Sequence, residues 1–238
     1  MGKVILELKE ISTGYQNAIL TGVNTVLHAG ELVILLGANG AGKSTLIKTI
    51  IQQVDSLEGL IELNGKNILN FSHSAMAKEV SIVSTNNHFD ASLRVKDILS
   101  LGRIPYLNFF AKLKEEDHKI ISKYVKLLQL ESLIENYFNQ LSDGQKQKVL
   151  IARALIQNTP IIILDEPTAH LDVRNRMLIF SLLKKIAKSE NKAIICATHE
   201  IDIALKYASS VWLIDKHKNF IEDSANKFNS ETVYCNLF

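Results

Sequence analysis

Three stretches of the chain carry residue types suited to handling phosphate groups. Gly37 to Ser44 reads GANGAGKS and fits the pattern G-x-x-x-x-G-K-[ST]. It lies directly after ELVILL and before TLIKTIIQQ, the strand-loop-helix context that gives this pattern its meaning. Glycines let the backbone curl until several N–H groups point inward at phosphate oxygens, and the helix N-terminus adds partial positive charge. Lys43 is expected to reach the β- and γ-phosphates and Ser44 to ligate magnesium. A glycine-rich turn with a chance lysine would not need all three features.

The second stretch, PIIILDEPTAHLD, ends an apolar run on two carboxylates. Asp165 falls at the carboxyl end of a buried strand, where open α/β sheets hold their ligands, and is expected to hold the same magnesium. Glu166 approaches from another direction and is suited to take the proton from an attacking water. His199 closes a further apolar run, AIICATH, where it could donate a hydrogen bond to charge developing on a γ-phosphate.

The third stretch, LSDGQKQKVLIARAL, has two readings. Ser142 followed by Gln145 is a capping-box pattern, and Val149, Ala152, Leu155 and Ile156 form an apolar face, so it could be only a capped helix. Gly144 in the first turn, however, costs helix stability on the order of 1 kcal/mol relative to Ala. A ligand pressing close to the backbone would account for it, making this turn a second phosphate-binding surface.

These groups need a scaffold. Five nearly continuous apolar runs, LVILLG, VSIVS, PIIILD, AIICAT and VWLID, read as parallel strands buried on both faces. Helical periodicities at Lys43 to Gln53, Val173 to Ser189 and Glu200 to Ala208 alternate with them, as in an α/β fold. Near the N-terminus, KVILELKEIS, NTVLHAGELVIL and GLIELNGKNI carry hairpin-like turns, Asn64-Gly65 the strongest, and predict an antiparallel sheet. From 86 to 158 no strand pattern appears. KEEDHKIISKYVKLLQL is amphipathic, with Ile120, Ile121, Tyr124, Leu127 and Leu128 at helical spacing. The reading is therefore one domain, with a core over 1–85 and 159–238 split by a helical subdomain at 86–158.

Composition narrows the possibilities. The 238 residues are 47% hydrophobic, enough for a sizeable core, and a net charge of +2 does not suggest a nucleic-acid partner. Cys196 and Cys235 are the only cysteines, so no disulfide framework or zinc spacing exists. The opening MGKVILELKEIS is too short and charged for a signal peptide, Leu6 stands where myristoylation wants Ser or Thr, and no apolar run approaches a membrane span. Contact with a membrane is expected only through another chain.

Together these motifs resemble the ATP-binding cassette ATPases over nearly the whole chain. Gly37, Ala38, Asn39, Gly40, Ala41, Gly42, Lys43, Ser44 and Thr45 look like their Walker A motif, IIILDE like Walker B, LSDGQ like the signature, HLD like the D-loop, and His199 like the switch histidine. Tyr15 matches the aromatic A-loop position that stacks on adenine. The resemblance implies a P-loop NTPase core with ATP and Mg2+. It also implies a second identical cassette, paired head to tail, whose ATP is reached by Ser142, Asp143, Gly144, Gln145 and Asp172 of this chain. This would explain why one chain carries two such loops.

Two positions depart from the pattern. Asp143 stands where the family usually has Gly, and the Q-loop glutamine is missing, Thr85 occupying its place with Asn86 as the nearest amide able to approach the metal. Leu99 to Asp117, LSLGRIPYLNFFAKLKEED, is similar to the segment after the Q-loop in bacterial importers of iron-siderophore complexes, haem and cobalamin. That narrower resemblance implies a peripheral position on the cytoplasmic face of the cell membrane, a two-fold integral membrane permease, and an extracytoplasmic substrate-binding protein. A DNA-repair ATPase would carry long coiled-coil heptads, which are absent, and a small-molecule kinase has no need of LSDGQ beside DEPTAHLD.

Overall fold

The computed structural model describes residues 2–84, 89–90, 92–108, 112–169 and 171–237. Two sheets organise them. In the first, β1 (Val4–Gly14), β2 (Ala18–His28), β4 (Ser56–Leu63) and β5 (Lys66–Asn67) are antiparallel, in the order β2-β1-β4-β5. Asn64 and Gly65 close the β4–β5 hairpin with φ of 50° and 75°, the pair of positive values a two-residue type I′ turn requires.

The second sheet runs β10-β9-β3-β8-β7-β6 and contains all five apolar runs: β3 (Leu32–Gly37), β6 (Val80–Val83), β7 (Ile161–Asp165), β8 (Ala193–Ala197) and β9 (Ser210–Ile214). These five are parallel, and β10 (Phe220–Ser224) joins the edge antiparallel. The turn in NTVLHAGELVIL does not close a hairpin. The chain crosses there from the first sheet to the second, because β3 pairs parallel with β8 and β9 instead of returning along β2.

The unbroken apolar character of β3 follows from burial on both sides. Val33 and Leu35 belong to one core, shared with the antiparallel sheet and with Leu46, Ile47 and Ile50 of α1 (Lys43–Ile50). Leu32, Ile34 and Leu36 point into the other, shared with α6 (Val173–Glu190), α7 (Ile201–Tyr207) and α8 (Ser230–Leu237). Each such side chain removed from water contributes about 1.5–3 kcal/mol.

Between β6 and β7 the described residues form α3 (Val95–Leu101), α4 (Glu115–Leu127) and α5 (Asp143–Ile156) and contribute no strand to either sheet. Helix α5 buries more than the one face its spacing suggests: Leu150, Ile151 and Ala154 are enclosed along with Val149, Ala152, Leu155 and Ile156, because α3, α4 and β6 all pack on it. A short helix before β6, α2 (His73–Glu79), has its N-cap at Ser72.

Candidate active site

The parallel sheet brings three strand ends to one edge. Leu35 pairs with Ala197 and Asp165 with Ala197, so the loops leaving β3, β7 and β8 converge. The loop after β3 turns through Gly40 and Gly42, and Gly42 at φ 115° caps α1. A Cβ there would meet Ile19 Cγ2 at 2.9 Å, so the β1–β2 hairpin packs against the loop and demands glycine. Ile19 lines the resulting cleft of about 340 Å³ together with Ala38–Gly40, Gly42–Thr45, Asp165 and Glu166. Gly37 and Ala41 are buried beneath it.

Lys43 is buried and donates from Nζ to Gly37 O (2.6 Å) and Ala38 O (3.2 Å), which holds its ammonium at the loop. Burial lowers its pKa, with the charges of Glu166 and Asp165 acting the other way. Ser44 Oγ donates to Asp165 Oδ2 at 2.9 Å, joining the two residues that the sequence reading gives to the metal.

Glu166 leaves β7 with φ 52° while its N–H donates to Ala197 O (2.9 Å), so its carboxylate diverges from that of Asp165. It meets His199 instead. His199 Nδ1 lies 2.8 Å from Glu166 Oε2, and an ionised carboxylate can only accept, which puts a proton on Nδ1. In the sequence these two residues stand 33 positions apart and are expected to have separate tasks. Their contact depends on β7 and β8 being sheet neighbours, which single-chain spacing does not disclose.

Other expected residues lie elsewhere. Tyr15 sits in the β1–β2 turn, 59% exposed, and does not line the cleft. Ser142 caps α5: its N–H donates to Gln145 Oε1 (2.9 Å), and its Oγ accepts from Gln145 N–H (3.4 Å). Asp143 is exposed at the first helical position, 3.7 Å from Lys146 of its own helix. Asp172 caps α6 by accepting from Asn175 N–H (2.7 Å). None of these signature and D-loop residues lines the cleft. They adjoin one another, since a Cβ on Gly144 would lie 3.6 Å from Leu171 Cδ2 and 3.8 Å from Asn175 Nδ2. Thr85, Asn86 and His170 lie outside the described residues.

The GRIPY segment forms a buried clasp with an exposed edge. Gly102 packs so closely on α5 that a Cβ would meet Arg153 O at 2.5 Å. Arg103 Nε donates to Asp117 Oδ1 (2.8 Å) and Nη1 to Ile156 O (2.9 Å), stapling α4 to the end of α5. Ile104 stays 56% exposed and, with Leu101 and Pro105, walls a groove of about 590 Å³ opposite Met76, Val80 and Ile51.

The phosphate loop, the paired carboxylates at the end of β7 and the separate signature turn define a nucleotide-hydrolysing cassette. Residues 20–169 match the family model described as ABC transporter, and the chain belongs to that family as an ATPase cassette. It is 39% identical over 215 residues to an uncharacterized ABC transporter ATP-binding protein of Methanocaldococcus jannaschii, covering 90% of this chain and 74% of that one. It is 32% identical over 234 residues to the iron(3+)-hydroxamate import ATP-binding protein of Bacillus subtilis, covering 98% and 87%. Among solved structures, a transporter described as metal-chelate type, in an inward-facing conformation, superposes with a TM-score of 0.86 at 28% identity, covering 99% and 89%. A dimeric bacterial ABC transporter cassette gives 0.81 at 26% identity, covering 94% and 100%.

Proposed function

We propose that two copies of this chain bind ATP with Mg2+ head to tail and hydrolyse it to drive import of an iron chelate through a membrane permease. One observation carries the two-copy reading: the cleft holds Lys43, Ser44, Asp165 and Glu166, whereas Ser142, Gly144 and Asp172 form a separate cluster that does not line it. A second chain turned end for end would bring that cluster to the first chain's phosphates. The dimeric cassette similar to this chain supports the arrangement.

The donor set fits magnesium. Ser44 Oγ and Asp165 Oδ2 are hard oxygens 2.9 Å apart, the spacing of neighbouring ligands on an octahedron with bonds of about 2.1 Å. When bound, the ion would neutralise charge on the β- and γ-phosphates. The chain's own groups do the rest. The loop N–H groups and Lys43 orient the phosphates, and Glu166 takes a proton from the attacking water at a carboxylate oxygen. His199, bonded to Glu166 through Nδ1, donates from Nε2 toward the γ-phosphate oxygens only when both ring nitrogens carry a proton. Tyr15 at the turn of the neighbouring hairpin is the adenine-stacking candidate.

No helix among the described residues is long and apolar enough to cross a membrane, and we assign the translocation path to a separate permease. The groove walled by Leu101, Ile104 and Pro105 is the docking surface we assign to the permease, on the cytoplasmic face of the membrane, with Gly102, Arg153 and Gln157 completing that side. The cargo reading rests on the similar chains described as iron(3+)-hydroxamate import and metal-chelate type, together with GRIPYLNFF. An extracytoplasmic binding protein would deliver that cargo. Deleting the gene is expected to abolish growth on an iron-hydroxamate as sole iron source. Intact growth there, with loss of haem, corrinoid or an unrelated solute, reassigns the cargo and leaves the ATPase reading in place.

A further inference from the structure

Arg176, in the first turn of α6, has no part in the chemistry described so far. Its backbone N–H donates to Asp172 O (3.0 Å), and its Nε donates to Leu171 O (2.6 Å). The same Nε lies 3.1 Å from Glu200 Oε1. Leu171 precedes Asp172 and touches the position that Gly144 leaves open, while Glu200 follows His199 directly. One guanidinium thus spans the cluster assigned to the partner's nucleotide and the histidine assigned to the chain's own.

The contact is poorly explained as a stabilising ion pair. The Glu200 side chain is only 6% exposed, and neither of its oxygens, nor the Thr168 hydroxyl beside it, makes a hydrogen bond of ordinary geometry among the described residues. Burial raises the Glu200 pKa despite the opposing charges of Arg176 and His199, so the site disfavours the charge it holds. Arg176 is itself 31% exposed, so water partly screens the pair and its net contribution to stability is small. The surrounding loop is itself ordered by Leu171 N–H to Thr168 O (3.1 Å) and Glu200 N–H to Thr198 Oγ1 (3.1 Å), and Arg176 adds a charged link between the Leu171 turn and Glu200.

We propose that Arg176 and Glu200 are positioning residues for ATP hydrolysis: the pair sets His199 relative to the Leu171–Asp172 turn, linking the two nucleotide sites that each chain contributes to. This inference rests on the two-copy ATPase reading above. Steady-state ATPase of the full chain with its permease, ATP affinity of the isolated chain, and melting temperature are measured for wild type, Glu166→Gln, Arg176→Lys, Arg176→Met, Glu200→Gln and the double variant Arg176→Met/Glu200→Gln. The expected result is a roughly tenfold lower kcat for Arg176→Met and Glu200→Gln, with KM and ATP affinity within about twofold of wild type and partial recovery in Arg176→Lys. The double variant is expected to stay slow, because removing both charges does not restore the link. Recovery of kcat in the double variant, unchanged kcat in the single ones, or a loss that follows ATP affinity or folded fraction overturns the proposal. If wild type hydrolyses ATP and Glu166→Gln does not, those outcomes remove only the positioning role. An inactive wild type removes the ATPase reading and this inference together.

Discussion

The two glycine-bearing helix N-termini of this chain are built on different terms. At α1 each feature is answered inside the molecule: Gly42 is required by φ 115° and by Ile19, Lys43 is held by two carbonyls, and Ser44 is bonded to Asp165. At α5 the internal account is incomplete. Ser142 and Gln145 satisfy each other in a capping box, yet nothing among the described residues requires Gly144, whose Cβ would make only ordinary contacts with them and whose backbone is helical. A glycine forced by its own fold marks a finished surface. One that its fold does not require fits the proposal that the α5 turn serves a nucleotide held by a second copy.

The largest effect is expected at the finished surface. Glu166→Gln should lower ATPase by at least about 100-fold, the order of a lost general base, while leaving ATP binding intact. The variant should also accumulate as an ATP-bound dimer by size-exclusion chromatography. Near-normal turnover in the permease-coupled protein would leave the 2.8 Å contact with His199 as a structural pair and remove Glu166 from catalysis.

Gly42→Ala should act through the fold itself. A side chain at φ 115°, 2.9 Å from Ile19, is expected to destabilise the chain by about 1–3 kcal/mol, read as a lower urea midpoint, and to lose most ATP affinity. An unchanged midpoint would mean that the hairpin yields easily, and the contrast between the two glycines would weaken.

Much of this was legible in the sequence because it is local. The five apolar runs became the five parallel strands, Asn64-Gly65 closed its hairpin, and Ser142 with Gln145 formed the cap, since each depends on side-chain period or turn chemistry within a few residues. What was not legible is pairing across the sheet. The neighbouring of β7 and β8 creates the Glu166–His199 contact, and packing of the β1–β2 hairpin brings in Ile19. The HAGE turn misled for the same reason. Local turn chemistry announces a reversal of the chain, but strand partners decide whether the next strand returns along the previous one or enters another sheet. Arg103 shows the converse: the GRIPY stretch suggested a family likeness, and its structural work lies in a staple between helices 14 and 53 residues away in sequence.

Mixing two defective chains tests whether the second surface serves another copy. Lys43→Ala damages a chain's own site, and Ser142→Arg damages its partner's. A heterodimer collects both defects in one site and leaves the other intact. With random pairing and independent sites, the mixture should regain roughly a quarter of wild-type ATPase, well above either homodimer. No recovery would mean that each site depends on the other or that Ser142 acts within its own chain.

The smallest change carries the sharpest contrast. Gly144→Ala adds one methyl group to the first turn of α5, in helical backbone, at 3.6 Å from Leu171 Cδ2 and 3.8 Å from Asn175 Nδ2. Neither distance forces a neighbour to move, and alanine favours helix over glycine by up to about 1 kcal/mol, so the isolated chain should be as stable as wild type or slightly more so. Its ATP affinity should be unchanged, because Gly144 does not line the cleft that holds Lys43. Activity should nevertheless fall roughly tenfold, the equivalent of one weakened hydrogen bond of about 1.5 kcal/mol to a charged group, because the methyl group stands between the helix N–H groups and the partner's phosphates. A chain that gains stability while losing turnover cannot owe the loss to its fold. If Gly144→Ala keeps full activity, the glycine is incidental, and the α5 turn is the capped helix that its hydrogen bonds alone describe.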